Sequence, residues 1–205
     1  ELFWRVLLRP DPRPADLGEV RREAISEIHS RRDDDRWLAA RAFRSHLFGA
    51  HPYARSPLGT ERSLRRITLD DVRAFLARHL TAPTLIVGLA GDVRAREVRP
   101  LLERATAALS TRRASRFVLS LPVQPPGRRV LIVDKPERTQ TQLVIGRLGT
   151  HLRDRVFRPL FVANAAFGGM FTARLVRAVR TERGYSYTAQ SRLGADTVTE
   201  AWSMY

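Results

Sequence analysis

Apolar residues recur at helical spacing between Phe167 and Arg192, where the chain combines a Gly-Gly turn, a helix, a glycine stop and a strand. Three apolar residues lie at i, i+4 and i+8 and predict one apolar helical face: Phe171, Leu175 and Val179. Gly184 is placed to end this helix, because glycine readily adopts a positive φ. Residues 185–190 then alternate in the manner of a strand.

Two polar side chains flank this glycine stop at a spacing that has chemical meaning. Arg180 falls in the last helical turn and Tyr187 near the start of the strand, so both are predicted to project toward one spot. A cation and a phenol at such a junction can hold a carbonyl oxygen or an anion. The residues alone leave an alternative open, in which Arg180 only complements the negative end of the helix dipole and Tyr187 packs half-buried.

The same periodicities predict regular structure along the rest of the chain. Capping residues and apolar stripes predict helices over residues 16–28, 33–48, 68–80, 94–109 and 153–166. Short apolar runs predict strands over residues 84–90, 129–134 and 142–147, and the start of an unfinished strand pair over 196–205. Residues 1–8 fit either a strand or the end of a helix.

A change in composition divides the chain into two parts. Residues 110–127 are rich in proline and show little periodicity, which predicts an interdomain linker between a first lobe, 1–109, and a second lobe, 128–205. Helices and strands alternate on both sides of the linker and predict an α/β (α+β) fold with two successive lobes, each a mixed sheet with helices packed on it. Each lobe has too few strands for a covered sheet, so both are predicted to be incomplete in this chain.

Composition and charge exclude several classes of site. The formal net charge is +15, but almost all of the cations are arginines spread along the chain, and Lys135 is the only lysine. There is no basic tail or aromatic-basic stripe, so no nucleic-acid partner is predicted. The absence of cysteine excludes disulfides, thiolate zinc sites and cysteine nucleophiles. No apolar run reaches the roughly 18 residues of a membrane span, so none is predicted.

Two stretches resemble the insulinase-like (pitrilysin-type) zinc metallopeptidases, whose metal motif is an inverted H-x-x-E-H. Residues 51–93 contain a His-Pro-Tyr loop, a Gly-Thr pair, a helix and a strand that ends in Gly-Asp-Val. Gly168 opens a second motif, G-G-x-F-x-x-R-L, which is followed by Arg180 and, seven residues later, by Tyr187 after Arg-Gly. The resemblance covers most of the chain in order.

The resemblance implies a two-lobed half-molecule that pairs with another half, as a homo- or hetero-dimer, around a closed chamber. In this family two histidines and a glutamate of one half hold zinc, and the opposing half contributes an Arg–Tyr pair. Tyr187 would then donate to the developing oxyanion and Arg180 would orient the peptide carbonyl. Substrates would be peptides or unfolded polypeptides, held in extended form at a sheet edge.

The metal motif itself is missing from this chain. H-x-x-E-H does not occur, and the five histidines include no pair at i and i+4, so the zinc-binding helix is absent from the sequence. His51 is therefore interpreted as a loop anchor. Glu27 is the candidate for the family's third zinc ligand, but the acidic residue expected seven positions earlier is Val20. The alternative interpretation is that Glu27 lies on a solvent-exposed helix face and is not a ligand.

Two explanations account for the missing motif. The chain is either a fragment whose preceding residues carry H-x-x-E-H, or the non-catalytic type of half that keeps only the Arg–Tyr pair. Val20 and the intact pair favour the second. The expected function is therefore a component of a zinc metalloendopeptidase that supplies Arg180 and Tyr187 to a shared site. A structural or assembly subunit of the same fold is the alternative, and the sequence does not indicate a compartment.

Overall fold

The computed structural model describes residues 2–8, 10–113 and 118–205, which fall into two compact units. The first unit comprises Glu1–Glu27 and Thr60–Phe117, and the second comprises Ile28–Gly59 and Val118–Tyr205. The predicted lobe boundaries at 109 and 128 stay a prediction, and part of the predicted linker, residues 114–117, lies outside the described residues.

The described residues form helices and a small antiparallel sheet, so the expected α+β class is confirmed. The helices are α1 (Leu2–Leu8), α2 (Pro14–Arg31), α3 (Asp35–Phe48), α4 (Glu61–Arg66), α5 (Leu69–His79), α6 (Ala95–Thr106), α7 (Phe157–Asn164) and the short α8 (Arg174–Val176). The strands are β1 (Ile145–Leu148), β2 (Ser191–Leu193) and β3 (Ala201–Met204). The N-terminal segment, which fitted a strand or a helix, is thus helical.

Side-chain hydrogen bonds cap helices α4 and α5 of the first unit. The Thr68 hydroxyl accepts from the Asp71 N–H at 3.2 Å, and the Asp71 carboxylate accepts from the Thr68 N–H at 2.8 Å. This reciprocal pair starts α5 where the sequence predicts it. The Arg21 guanidinium donates to the carbonyl oxygens of Leu64 and Ile67 at 3.1 and 2.6 Å, and so satisfies the C-terminal end of α4.

The strand predicted over residues 84–90 is wrong. A 3-10 turn, Ala82–Thr84, is followed by residues without regular secondary structure, and Ile86 is 94% exposed. A strand needs a neighbour for its backbone N–H and C=O groups, and the described residues of the first unit contain no other strand. The apolar pattern is therefore present without the sheet that it requires.

The second unit is organised around the three strands, in the order β1-β3-β2. Both neighbours run antiparallel to β3, with Leu148 opposite Ala201 and Leu193 opposite Trp202. The core lies between this sheet and the C-terminal end of α3, and its buried members are Leu47, Phe48, Ala54, Leu148 and Ala201. The N-cap Asp34 and the positive φ of 53° at Gly49 begin and end α3 as predicted.

Helix α3 approaches the sheet so closely that one strand position has no room for a side chain. A Cβ on Gly146 would lie 2.7 Å from Cζ of Phe43 and closer still to the Trp202 carbonyl oxygen. Real Cβ atoms are not found at such distances. Glycine at position 146 therefore sets the separation between α3 and the sheet.

Several predicted strands of the second unit differ from those observed. Residues 129–134 form no strand and expose their apolar side chains, while residues 142–147 form β1 only from Ile145 onward. The strand predicted over 185–190 begins instead at Ser191. The segment 196–205, predicted as the start of an unfinished pair, contains the central strand β3 at Ala201–Met204. Each error has the same cause, because the sequence does not show which segments find a partner strand.

One stretch of the described residues, Phe157–Thr181, is long and apolar enough to cross a membrane by length and composition. It has 25 residues, and 11% of its apolar window is buried. The backbone is extended at Met170 and at Ala173, with ψ of 157° at both. The stretch therefore consists of two helices joined by a turn, whereas a spanning helix satisfies its backbone groups without interruption. The absence of a membrane span stays a prediction.

A hydrogen bond joins the His-Pro-Tyr loop to the β2–β3 connection. The Tyr53 hydroxyl donates to the Asp196 carboxylate at 2.5 Å. Burial raises the pKa of Tyr53 to about 12, and the bond to Asp196 acts in the same direction. The Tyr53 hydroxyl and the Thr197 N–H lower the pKa of Asp196 below its ordinary value.

We expect Gly146→Ala to destabilise the second unit by roughly 1–3 kcal/mol, the usual cost of inserting a methyl group into a packed core. Urea unfolding of the purified variant measures this change. Gly88→Ala is the control, because its Cβ would meet no atom within 4 Å. Equal stability of the Gly146 variant and the parent would contradict the packing described for α3.

We expect Tyr53→Phe to lower the free energy of unfolding near neutral pH by roughly 1.5–3 kcal/mol, because it removes a hydrogen bond to a charged group. Because the pKa of Asp196 is lower in the folded protein than in the unfolded chain, Asp196 contributes stability at pH values above its unfolded-state pKa. This contribution is lost as the pH falls through its folded-state pKa. The pKa of Tyr53 is raised from its ordinary value of 10.0 to about 12 in the folded protein, so Tyr53 contributes stability below pH 10.0. This contribution is lost as the pH rises toward about 12.

Urea unfolding across this pH range tests the linkage. The difference in unfolding free energy between the parent and Tyr53→Phe should shrink at both extremes. Tyr185→Phe, at an exposed tyrosine, should show no such difference. A Tyr53 effect that is independent of pH would refute the assigned bond.

Candidate functional site

The candidate site begins with a bend that is fixed to the sheet. After α7 the chain forms a π-helical turn, Ala165–Gly169. The Asn164 side-chain oxygen accepts from the Ser191 hydroxyl at 2.7 Å and from the Trp202 indole N–H at 2.8 Å. A Cβ on Gly168 would lie 2.6 Å from the Ser191 Oγ, so only glycine fits against β2 at this position.

A second π-helical turn, Arg177–Thr181, continues α8 and carries Arg180. The Glu182 N–H donates to the Arg177 carbonyl oxygen at 2.9 Å, which closes this wide turn. Gly184 then takes φ of 64°. Only glycine adopts this left-handed conformation without cost, so the chain reverses where the sequence predicts that the helix stops.

The reversal brings Tyr187 back to Arg180. The Arg180 Cζ lies 4.4 Å from the Tyr187 ring centroid, which is within the range of a cation–π contact. The two side chains predicted to project toward one spot are thus in contact. The Tyr187 side chain is 82% exposed, whereas Arg180 is half-buried. The half-buried packing considered for Tyr187 is therefore wrong.

A third residue, Phe171, completes the surroundings of the guanidinium group. Its ring centroid lies 5.0 Å from the Arg180 Cζ. The sequence pattern assigned Phe171 to the apolar face of the helix, which is wrong, because Phe171 precedes α8 in a turn and is 75% exposed. The only signal for this turn is the Gly-Gly pair, which does not by itself show where the following helix begins.

Neighbouring arginines differ from Arg180 in their partners. Arg177 and Arg183 both pair with Glu182, with closest N–O distances of 3.2 and 3.8 Å. Within the part of the chain that the structure describes, the Arg180 guanidinium has aromatic contacts and no ion pair or hydrogen bond. Its N–H groups are therefore available to an external carbonyl or carboxylate, which a guanidinium binds well because its donors lie in one plane.

His51 has the role of a loop anchor. Its Nδ1 accepts from the Tyr53 N–H at 3.1 Å, so its Nε2 carries the proton and donates to the Ser120 carbonyl oxygen at 2.9 Å. The side chain is buried, and both ring nitrogens are occupied. His51 consequently has no free lone pair for a metal ion.

The described residues of this chain do not by themselves fit a zinc site. Zinc in proteins is held by three or four nitrogen, sulfur or carboxylate ligands, and residues 2–8, 10–113 and 118–205 contain no cluster of three or more His, Cys, Asp or Glu that could hold a metal. Glu27 lies on the exposed side of α2, and its role as a ligand stays a prediction.

Comparison with known proteins supports the family resemblance. A protein-family model described as "Peptidase M16 inactive domain" matches residues 66–205 of this chain. The chain is 29% identical over 200 residues to an uncharacterized zinc protease of Mycobacterium leprae, with 93% of this chain and 43% of that protein covered. It is 24% identical over 191 residues to a protein of Helicobacter pylori named non-peptidase homolog YmxG, with 92% and 43% covered.

A solved structure shares the fold. The crystal structure of a peptidase M16 inactive domain from Pseudomonas fluorescens superposes with a TM-score of 0.87 at 23% identity, and covers 99% of this chain and 49% of that one. The chain thus spans about half the length of the proteins it matches, or less. Since the family description covers more than half of the chain, this protein belongs to the M16 peptidase family, and the matched part is that family's inactive domain.

Proposed function

We propose that this chain supplies Arg180 and Tyr187 to the shared active site of a zinc metalloendopeptidase. The observation that carries the proposal is the pairing of an exposed phenol with a guanidinium that has no ion pair or hydrogen bond among the described residues. The M16 family match and the name of the mycobacterial relative, a zinc protease, support the reaction class. A separate half that bears H-x-x-E-H would hold the zinc, in a homo- or hetero-dimer.

Each side chain has a definite chemical task in this proposal. When water attacks a peptide carbonyl, negative charge develops on the oxygen, and a phenol O–H donor placed there stabilises the transition state. Tyr187 is exposed and can reach a substrate held by the opposing half. Arg180 offers planar N–H donors that orient a neighbouring substrate carbonyl.

Peptides or unfolded polypeptides are the proposed substrates, because a substrate in extended form can add to a sheet edge. The strand order leaves one side of β1 and one side of β2 without a partner strand among the described residues. The proposed molecule has two lobes joined by a linker over residues 110–127. Its proposed partners do not include a nucleic acid.

A structural or assembly subunit is the second candidate. The name of the Helicobacter relative, non-peptidase homolog, favours it. Mixing the protein with an M16 half that bears H-x-x-E-H separates the two candidates. A stable complex without chelator-sensitive cleavage of an unstructured peptide would support the structural role.

We expect Tyr187→Phe to lower kcat of the mixed complex by about 10²-fold or more, because it removes one donor to the oxyanion. Hydrolysis of an unstructured fluorogenic peptide measures the effect. Tyr185→Phe is a matched control, since that tyrosine lies two residues away, is equally exposed at 80%, and is not among the aromatic contacts of Arg180. If kcat were unchanged in the Tyr187 variant while the complex was active, the catalytic assignment would be refuted.

A further inference from the structure

The surroundings of Arg180 depend on a residue to which no role has so far been given. Phe171 is a large apolar side chain that leaves most of its surface in water, yet its ring contacts the half-buried guanidinium. Phe171 and Tyr187 make no ring contact with each other in the part of the chain that the structure describes. Each ring therefore contacts Arg180 without contacting the other ring.

The backbone explains how residues nine positions apart come into contact. In a regular helix nine residues span about 13.5 Å along the axis, which is too far for an ordinary side-chain contact. Helical side chains point toward the helix N-terminus, so the long Arg180 side chain extends back toward the start of α8. Phe171 lies there in the turn that precedes α8, where the Ala173 N–H donates to the Met170 carbonyl oxygen at 3.0 Å.

The turn that carries Phe171 is itself fixed. Gly168 packs directly on Ser191, and the Ala173 side chain is buried. Tyr187, by contrast, follows the reversal at Gly184, and residues 185–190 pair with no strand along most of their length. Of the two rings that contact Arg180, the Phe171 ring thus lies on the segment that is attached more closely to the sheet.

We propose that Phe171 is a positioning residue that orients the Arg180 guanidinium for a substrate carbonyl. The inference rests on the proposed function, because it assigns a task to the same site. Arg180 has no ion pair among the described residues, so aromatic contacts set the plane of its N–H donors. Tyr187 is engaged with substrate in the proposed reaction, which leaves Phe171 as the contact that persists throughout.

The contact can be tested without catalysis by NMR of the protein labelled in its arginine side chains. Ring currents should shift the Arg180 side-chain resonances. These resonances are identified as the signals that disappear from the spectrum of the Arg180→Lys variant. Phe171→Leu should move them toward the values of solvated arginine, and Phe171→Tyr should retain most of the shift. Phe161→Leu, at another exposed phenylalanine (57%), should leave them unchanged. Unchanged resonances in Phe171→Leu would overturn the proposal.

The kinetic consequence is tested in the mixed complex described above. We expect Phe171→Leu to lower kcat/KM by roughly 2- to 30-fold, the range that corresponds to losing one cation–π contact. Phe171→Tyr should keep kcat/KM close to the value of the parent. In an Arg180→Ala background the same substitution should have no further effect. An equal loss in both backgrounds would show a merely structural role and overturn the proposal.

The two proposals fail in different ways. If Tyr187→Phe lowers kcat but Phe171→Leu acts independently of Arg180, only the positioning role is overturned. If Tyr187→Phe leaves kcat unchanged, the proposed function fails, and the positioning role for catalysis fails with it. The NMR measurement still decides in that case whether Phe171 fixes the guanidinium.

Discussion

The second unit depends on the close contact between the backbone at Gly168 and strand β2. A Cβ at this position would lie 2.9 Å from the Ser191 backbone nitrogen as well as against its hydroxyl. Asn164 reinforces the contact, because its side-chain oxygen accepts from both Ser191 and Trp202. Helix α7, two strands and the turn before α8 are therefore fixed together. The position of Arg180 relative to the sheet follows from a residue that has no side chain.

Signals that act over a few residues predicted the local structure well, whereas pairing between distant segments was not predictable. Helices begin or end as expected at Asp34, Gly49, Thr68 and Gly184. These positions are determined by a cap or by a positive φ, which neighbouring residues specify. The strands predicted over 84–90 and 129–134 are absent, because a strand also requires a partner that its own sequence does not encode.

The candidate site shows the same division. The seven-residue spacing of Arg180 and Tyr187 predicted their proximity, because a glycine that reverses the chain lies between them. Phe171 was misassigned because its spacing fits a helical period of 3.6 residues. The extended backbone at Ala173, the N-cap of α8, separates Phe171 from this helix, and the bend that precedes it packs against β2. Its contact with Arg180 is a property of the tertiary structure.

If the proposed function holds, the arrangement around Arg180 also constrains how a second half would close over it. Aromatic rings contact the guanidinium without occupying its N–H groups, which water can satisfy while the surface is open. Closing a protein surface over these donors removes that water and leaves a charged group unsatisfied, which is costly unless an acceptor arrives at the same time. A substrate carbonyl is such an acceptor. Closure of a shared chamber over this surface would therefore be favoured when substrate is present, because the substrate compensates the desolvation of Arg180.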